Sequence, residues 1–494
     1  MERNKSFINR ILCFIVCAFL VCSALFTAVS VKGIKKAYAL GGEIRVFSVS
    51  DYIDYDILDE FEDLTGIHVD YVEFATNEEM YNELKKAPHE VDLICPSEYM
   101  IMKMREENLI REFDTPQNFI DYGSPYIKEV FKKEPLEIMS DDESKTYSVG
   151  YMWGTVGMIF NTETVDEEDL KNWDSIWTHF NKRVTIKDSI RDTYLMALAY
   201  VYKTELLTLK DNYENGLITT EEYNAQITEI FNRTDVETVN KVYDALINLK
   251  PNLYGFEVDG GKADVLTGKI DVNVAWSGDA VYSISEGMFD EDGNDLPNPV
   301  YLGYAIPEEG SNVWFDGYVM AKYANVDNAS AFLNYLADPE IAVRNMDYTG
   351  YTSCIAGDDV FDYVKENYHD DESDNSVDLK YFFDPDCTDD SYVIKVAEGL
   401  EYMFYAQYPT EDVIERCAVM KNFSGEELER INEMWMKIKL ITLSDGALWG
   451  IAAGIVVFIA GIIVFKYRRN IFGSINIEKR SNGKYKKIKT ETVY

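Results

Sequence analysis

Acidic side chains are the most abundant groups in this sequence that could do chemistry. The chain has 87 Asp and Glu against 47 Lys and Arg, which gives a formal net charge of −40. A surface of this sign repels nucleic acid and anionic ligands and raises the local concentration of cations. Acidic pairs arise by chance at this density, so they do not by themselves indicate a hydrolase with two carboxylates. The charge therefore favours a cationic partner, and a surface tuned only for solubility is the alternative.

Residues for other kinds of chemistry lack the necessary spacing. The four histidines, His68, His89, His179 and His369, show no metal-ligand pattern, and no G-x-S-x-G, H-E-x-x-H or P-loop motif is present. The segment from Asp290 resembles a calcium loop for three residues, but Asp295 stands where such a loop requires glycine. We therefore predict a protein that is not an enzyme and has no cofactor and no metal site.

Four cysteines lie outside the N-terminal apolar run, none with C-x-x-C spacing: Cys95, Cys354, Cys387 and Cys417. Four cysteines in about 400 residues are too few for a disulfide scaffold. Free thiols are the expectation, and one bridge stays open.

The first part of the chain alternates between strand and helix patterns. Strands are predicted at Ile44–Val49, Ile67–Phe74 and Val91–Cys95, with helices at Ile53–Leu64, from the Thr76 and Glu79 capping box through Lys86, and at Tyr99–Asn108. This order predicts a parallel, doubly wound sheet, in which ligands bind beside the loops that follow the strands. Those loops are Val49–Tyr52 and Pro96–Tyr99.

Two long extended segments divide the remaining chain. They are Tyr147–Asn161 and Val313–Met320, and the second precedes a predicted helix, Asn328–Ala337. Residues 208–235 are polar and helical in pattern, as expected of a surface insertion. The two extended segments connect two regions that each contain both strands and helices. This arrangement predicts an α/β clamshell of two lobes with its cleft at the hinge.

Two uncharged apolar runs frame this region. Residues Ala447–Phe465 are long enough for a transmembrane helix, and a basic tail (466–494) follows them, so the tail is expected to be cytoplasmic. The first run, Ile11–Val31, follows a basic N-terminus and precedes the A-x-A pattern at Ala37. It is either a cleaved signal peptide or a second anchor, and both place the middle of the chain outside the cytoplasm.

Several short motifs, in order and spacing, resemble those of the spermidine/putrescine-binding proteins of polyamine ABC transporters, which have a type II periplasmic-binding-protein fold. The resemblance covers roughly residues 43–440. Its motifs are Phe47-Ser48-Val49-Ser50-Asp51-Tyr52, Pro96-Ser97-Glu98-Tyr99, Tyr151-Met152-Trp153-Gly154-Thr155, Asp188-Ser189-Ile190-Arg191-Asp192, Trp276-Ser277-Gly278-Asp279-Ala280, Trp314-Phe315-Asp316 and Gly350-Tyr351-Thr352.

The resemblance implies a polyamine site of carboxylates and aromatic rings. Buried ammonium groups need acidic acceptors, and methylene chains need apolar walls that also attract cations. The implied carboxylates are Asp192, Asp279 and Asp316. The implied aromatic residues are Tyr52, Tyr99, Trp276, Trp314 and Tyr351, and the implied polar contacts are Ser50, Asp51 and Ser97. As an alternative to ligand binding, Asp279 could cap a helix that begins at Ala280, and Trp153 is expected to pack in the hinge.

Three positions depart from the family pattern. Val49 replaces a usual tryptophan, Ser189 replaces an acid, and Met420-Lys421 stands where some members have a glutamine. With fewer groups for a middle amine, putrescine is slightly favoured over spermidine. Another solute on the same fold, such as ferric iron or an organic cation, is an alternative, although the Tyr-Tyr pair typical of iron-binding members is not present. A cell-surface hydrolase and a membrane sensor are the remaining alternatives.

The predicted organisation follows from these observations. Residues 1–40 form the signal peptide or anchor, 41–440 the extracytoplasmic binding domain, 447–465 the transmembrane helix and 466–494 the tail. Lobe 1 comprises about 43–148 and 317–365, and lobe 2 about 149–316 and 366–440. The expected partners are a polyamine, the membrane-embedded permease subunits of an ABC importer, and the lipid bilayer.

Overall fold

A computed structural model describes residues 41–290, 293–440, 476–479 and 485–488. The predicted signal peptide or anchor, the apolar run Ala447–Phe465 and most of the basic tail lie outside these residues. Among the residues that are described, no helix is both long and apolar enough to span a bilayer. The chain divides into two compact units, Met1–Trp435 and Met436–Tyr494. In the second unit, the strands Asn476–Lys479 and Tyr485–Ile488 pair in antiparallel fashion.

The first unit is an α/β structure. Its strands, numbered in chain order, are β1 (Gly42–Val49), β2 (Ile67–Phe74), β3 (Leu93–Ile94), β4 (Phe113–Asp114), β5 (Lys145–Thr146), β6 (Ser148–Asn161), β7 (Val184–Lys187), β8 (Gly255–Glu257), β9 (Val272–Trp276), β10 (Leu302–Ala305), β11 (Val313–Met320), β12 (Thr352–Ser353), β13 (Ser376–Asp378) and β14 (Val393–Lys395).

Helices connect most of these strands. The α-helices are Asp56–Thr65, Asn77–Lys86, Glu98–Glu106, Gln117–Tyr122, Pro125–Lys132, Ser175–Thr178, Ile190–Val201, Lys203–Glu214, Thr220–Phe231, Val236–Leu249, Gly260–Leu266, Ser277–Met288, Val326–Leu336, Pro339–Thr349, Asp358–Tyr368, Lys380–Phe383, Glu401–Gln407, Glu411–Glu415 and Gly425–Lys439.

One continuous sheet runs in the order β2-β1-β3-β11-β6-β9-β7-β8, and β10 and β12 also pair with β6. The strands at each end are parallel to one another: β2, β1 and β3 at one end, and β9, β7 and β8 at the other. The two long strands β6 and β11 pair in antiparallel fashion between them. The sheet therefore consists of two parallel halves joined by two crossover strands, as the extended segments predicted.

The register of β11 on β6 shifts between Asp316 and Gly317. Such a β-bulge bends a strand and redirects its side chains. A Cβ atom at position 317 would lie 2.3 Å from the Ser148 hydroxyl oxygen and 2.9 Å from the Val149 carbonyl oxygen. Glycine is therefore required at this position of the bulge, beside Asp316.

The predicted elements agree with the structure most closely where the pattern is strongest. The limits Ile67–Phe74 and Val313–Met320 are both confirmed, and Gly66 ends the preceding helix with a left-handed φ of 76°. The Thr76 side chain caps its helix by accepting a hydrogen bond from the Glu79 N–H, also as predicted. The polar segment 208–235 lies on consecutive helices.

Candidate functional site

Asp316 lies at the bulge of β11, where its carboxylate faces the loops that follow β1 and β3. Its Oδ2 atom accepts a hydrogen bond of 2.7 Å from the Tyr52 hydroxyl, and the Ser97 backbone bridges to Asp316. Its Oδ1 atom is buried and has no hydrogen-bond partner among the described residues. Burial raises the pKa of this carboxyl, and the hydroxyls of Tyr52 and Ser97 oppose the rise. A buried acceptor without a donor is costly unless a ligand supplies one.

Aromatic rings pack beside this carboxylate, beginning with Tyr52, whose hydroxyl donates to it. The Tyr52 ring packs edge-on against Tyr351, with centroids 5.7 Å apart, and Tyr351 packs against Trp314 at 5.6 Å. The hydroxyl of Tyr151 donates to the Tyr52 carbonyl and fixes the loop after β1. Gly278 leaves the space for Tyr351, because a Cβ atom there would lie 2.3 Å from its ring. These rings form flat apolar walls next to an acidic acceptor.

Glu98 lies beside Asp316 and is itself 3% exposed. Its Oε2 atom accepts a hydrogen bond of 3.3 Å from the Phe315 N–H. Burial raises the pKa of Glu98 to about 7, Arg191 acts to lower it, and the Asp316 charge raises it further. Glu98 therefore changes its charge close to neutral pH, in contact with the strand that carries Asp316.

Arg191 links this region to the helix Ile190–Val201. Its guanidinium lies 4.2 Å from the Tyr99 ring centroid and 3.9 Å from a Glu98 carboxylate oxygen. Tyr99 also donates a hydrogen bond to Glu78. Within the part of the chain that is described, Tyr99 thus faces a cation of the protein itself, so this ring is not free on that side.

Asp192 occupies the first turn of the same helix, and Ser189 is its N-cap, accepting a hydrogen bond from the Asp192 N–H. Asp192 is 7% exposed, and burial raises its pKa, while Ser189, Lys187 and Arg191 oppose the rise. The serine that replaces an acid of the family therefore has a structural role here. It starts the helix that presents Asp192.

Lys187, the last residue of β7, occupies the position expected for a ligand ammonium. Its Nζ atom lies 2.7 Å from Asp279 Oδ2 and 4.1 Å from the Trp276 ring centroid. It also donates to the Val258 carbonyl at 2.7 Å and lies 3.5 Å from Glu257 Oε1. Because the parallel strands β8, β7 and β9 are neighbours, their carboxyl ends bring these groups together. The side chain of Lys187 is only 1% exposed.

The second oxygen of Asp279 also has partners. Its Oδ1 atom lies 3.3 Å from Lys262 Nζ and accepts a hydrogen bond of 3.5 Å from the Tyr351 hydroxyl. The expected helix start at Ala280 is wrong, because the helix begins at Ser277 and Asp279 lies within its first turn. Its carboxylate is therefore directed at Lys187 and Lys262 instead of capping the helix.

Other predicted residues lie away from this cluster. Ser50 and Asp51 are exposed, and the Asp51 N–H bonds to Glu73. Trp153 is fully buried and stacks on Phe382 with ring centroids 5.5 Å apart, in agreement with a role in hinge packing. Lys421, at a position that departs from the family pattern, is exposed. The four cysteines of the described region, Cys95, Cys354, Cys387 and Cys417, are free.

Several charged residues of the site were not predicted, among them Lys187, Glu98 and Arg191. Glu98 and Arg191 lie inside motifs that carry the resemblance. Glu98 stands between the assigned Ser97 and Tyr99, and Arg191 directly precedes the assigned Asp192. Lys187 directly precedes such a motif and ends an apolar strand pattern, where an unpaired lysine is unusual. A lysine at the end of an apolar strand was therefore the feature of the sequence from which Lys187 could have been identified.

The chain was compared with known families and proteins. Residues 56–370 match the model of the family described as bacterial extracellular solute-binding protein. The spermidine/putrescine-binding periplasmic protein of Salmonella typhimurium is 25% identical over 325 residues, which cover 65% of this chain and 80% of that protein. The putrescine-binding periplasmic protein PotF of Escherichia coli is 24% identical over 63% of this chain and 77% of its own length.

A solved structure supports the fold. The substrate-binding protein PotD of a spermidine/putrescine ABC transporter from Streptococcus pneumoniae superposes with a TM-score of 0.55 at 24% identity. The superposition covers 81% of this chain and 99% of that one. The fold is thus the two-domain α/β fold of periplasmic binding proteins, and the family is one of binding proteins, not enzymes, as predicted. The chain belongs to the bacterial extracellular solute-binding protein family.

Proposed function

We propose that this protein is the extracytoplasmic binding component of an ABC importer and that it binds a polyamine, putrescine or spermidine. The observation that carries the proposal is the Asp316 carboxylate. Its Oδ1 atom is buried and has no hydrogen-bond partner among the described residues, and Tyr52, which bonds to Oδ2, packs against Tyr351, which packs against Trp314. A primary ammonium would supply the missing donor, and the rings would cover the adjoining methylene groups. The relatives described above bind compounds of this class by name.

Other residues predicted to bind the ligand extend this proposal. Asp192 would accept a second ammonium, and Ser97 and Trp276 would border the chain between them. Ser50 and Asp51 are exposed and belong to the loop after β1. They would contact the ligand from that loop. The acidic composition supports a cationic solute in general.

Calorimetric titration of the purified full-length chain tests this function. We expect a 1:1 complex with putrescine or spermidine and an increase in melting temperature, since the ligand binds only the folded state. Ferric citrate and a neutral sugar serve as comparison solutes. If ferric citrate or the sugar binds and no amine gives a heat of binding, the protein binds a different solute.

The proposed location completes the function. We infer that residues 1–40 direct the chain across the membrane, that 447–465 anchor it and that the tail 466–494 stays in the cytoplasm. The lobe limits, 43–148 with 317–365 and 149–316 with 366–440, are proposed with them. The uncharged run and the basic residues after it support the anchor. An anchored binding component would hold its solute close to the permease subunits.

Protease treatment of intact cells tests this topology. An epitope after Tyr494 should be protected, and one inserted in the exposed turn at Gly216 should be digested. Release of the intact chain by a salt wash, which does not extract transmembrane helices, would contradict the anchor.

A further inference from the structure

We propose that Lys187 acts as a built-in third ammonium, which makes this site selective for a diamine over a triamine. The proposal rests on the proposed function and deepens it, because it concerns which polyamine the same cleft takes. Lys187 is fixed by Asp279 Oδ2 at 2.7 Å, by the Val258 carbonyl at 2.7 Å and by the face of Trp276. A carboxylate, a carbonyl and an aromatic face are the groups that would bind a ligand ammonium.

The argument depends on the number of available carboxylates. Three were expected to hold ligand ammonium groups, namely Asp192, Asp279 and Asp316. Asp279 is paired with Lys187 and Lys262. In the segments 41–290 and 293–440, no Lys, Arg or His nitrogen within 4.0 Å pairs with Asp192 or Asp316. Two acids of the expected set therefore lack a cation within 4.0 Å, and this number matches the two ammonium groups of a diamine.

The Lys187 ammonium cannot be displaced easily by a ligand. It is 1% exposed and has a carbonyl acceptor and a second carboxylate, Glu257, besides Asp279. Removing a buried, hydrogen-bonded cation from its partners would leave Asp279 Oδ2 and the Val258 carbonyl without this donor, which is strongly unfavourable. A third ligand ammonium would have to enter beside Lys187, where like charges repel.

The test compares putrescine with spermidine in calorimetric titrations of the full-length chain. Wild type should bind putrescine more tightly. In Lys187→Met, which keeps most of the length of the side chain and removes its charge, Asp279 Oδ2 loses its cation and becomes available to a third ammonium. The affinity for spermidine relative to putrescine should then increase by about tenfold or more, in line with the strength of hydrogen bonds to charged groups.

Lys241→Met is the control. Lys241 lies on the helix Val236–Leu249, its side chain is 47% exposed and pairs with Glu237 at 2.8 Å, so this variant should leave the preference unchanged. If Lys187→Met does not fold, Asp279→Asn gives the answer. The loss of putrescine affinity in Asp279→Asn should be at least tenfold smaller than the loss in Asp316→Asn, because Asp279 binds Lys187 and not the ligand.

The outcomes separate this inference from the proposed function. If wild type binds no amine, the proposed function fails. If wild type binds amines but prefers spermidine, or if Lys187→Met keeps the wild-type preference, the role of Lys187 is wrong while polyamine binding stands. An equal loss of putrescine binding in Asp279→Asn and Asp316→Asn would likewise contradict it.

Discussion

The Asp316 carboxylate is the single group on which amine affinity should depend most. Asp316→Asn keeps the shape of the side chain, removes its charge and weakens its hydrogen bond with Tyr52. We expect the affinity for putrescine to fall by about 100-fold or more, since losing one partner of a buried charge pair costs roughly 2–5 kcal/mol. Titration calorimetry measures this loss. Asp114→Asn, at a side chain that is 87% exposed, is the control and should bind as wild type does.

Glu98 should make amine binding depend on pH. Its pKa of about 7 in the folded protein lies above its ordinary value of 4.5, because burial disfavours the charged form. As the pH rises from 6 to 8, Glu98 ionises next to Asp316 while the amine stays charged, so affinity should increase several-fold. The free energy of unfolding without ligand should instead decrease as the pH rises. The folded state holds the proton more tightly, so Glu98 makes folding less favourable as the pH rises from about 4.5 to 7.

Glu98→Gln tests this assignment. The variant should bind with an affinity that varies much less between pH 6 and 8, and it should release fewer protons on binding. Proton release is measured by titration in buffers of different ionisation enthalpy. A wild-type pH profile in Glu98→Gln would assign the dependence to Asp316 or Asp192, whose pKa values are also raised by burial.

At the scale of elements, the bulge between β11 and β6 should tolerate no side chain. Gly317→Ala would place a methyl group 2.3 Å from the Ser148 hydroxyl and 2.9 Å from the Val149 carbonyl. We expect a loss of about 1–3 kcal/mol in the free energy of unfolding, which is typical of overpacking. Denaturant unfolding measures it. Gly255→Ala, in strand β8 with no atom within 4 Å of the added methyl group, is the matched control and should unfold as wild type does.

Elements specified by local patterns could be predicted from the sequence, and contacts between distant elements could not. Period-two alternation predicted the limits of β2, an extended segment predicted those of β11, and Gly66 marked the end of the preceding helix. The pairing of Lys187 with Asp279 joins positions 92 residues apart. It depends on β7 lying between β8 and β9, an order that no local pattern specifies.

The same distinction holds for the candidate site. Tyr52, Asp316, Trp314 and Tyr351 come together as the family resemblance implied. The resemblance could not show that Asp279 already has a partner. It identifies the acids of each motif, but it does not identify Lys187, the cation that lies beside Asp279 in this chain.

At the scale of the whole molecule, the net charge of −40 should accelerate amine capture. The screening length is about 30 Å at 0.01 M salt and about 8 Å at 0.15 M, so added salt should slow association. We expect the association rate constant for putrescine to fall on the order of tenfold over this range, with little change in dissociation. Stopped-flow measurements separate the two rates. A monoamine should show a shallower salt dependence, and equal slopes for both amines would contradict electrostatic attraction.

The position of Trp314 has an optical consequence. Its indole N–H donates to the Thr155 carbonyl at 3.3 Å, its side chain is 7% exposed, and it lies two residues from Asp316 on the same strand. Indole emission shifts with the local electric field, and an arriving ammonium would change that field directly. The protein therefore carries its own fluorophore at the proposed binding site. Occupancy can be followed through intrinsic fluorescence without a label, and Trp314→Phe identifies the part of the signal that comes from this ring.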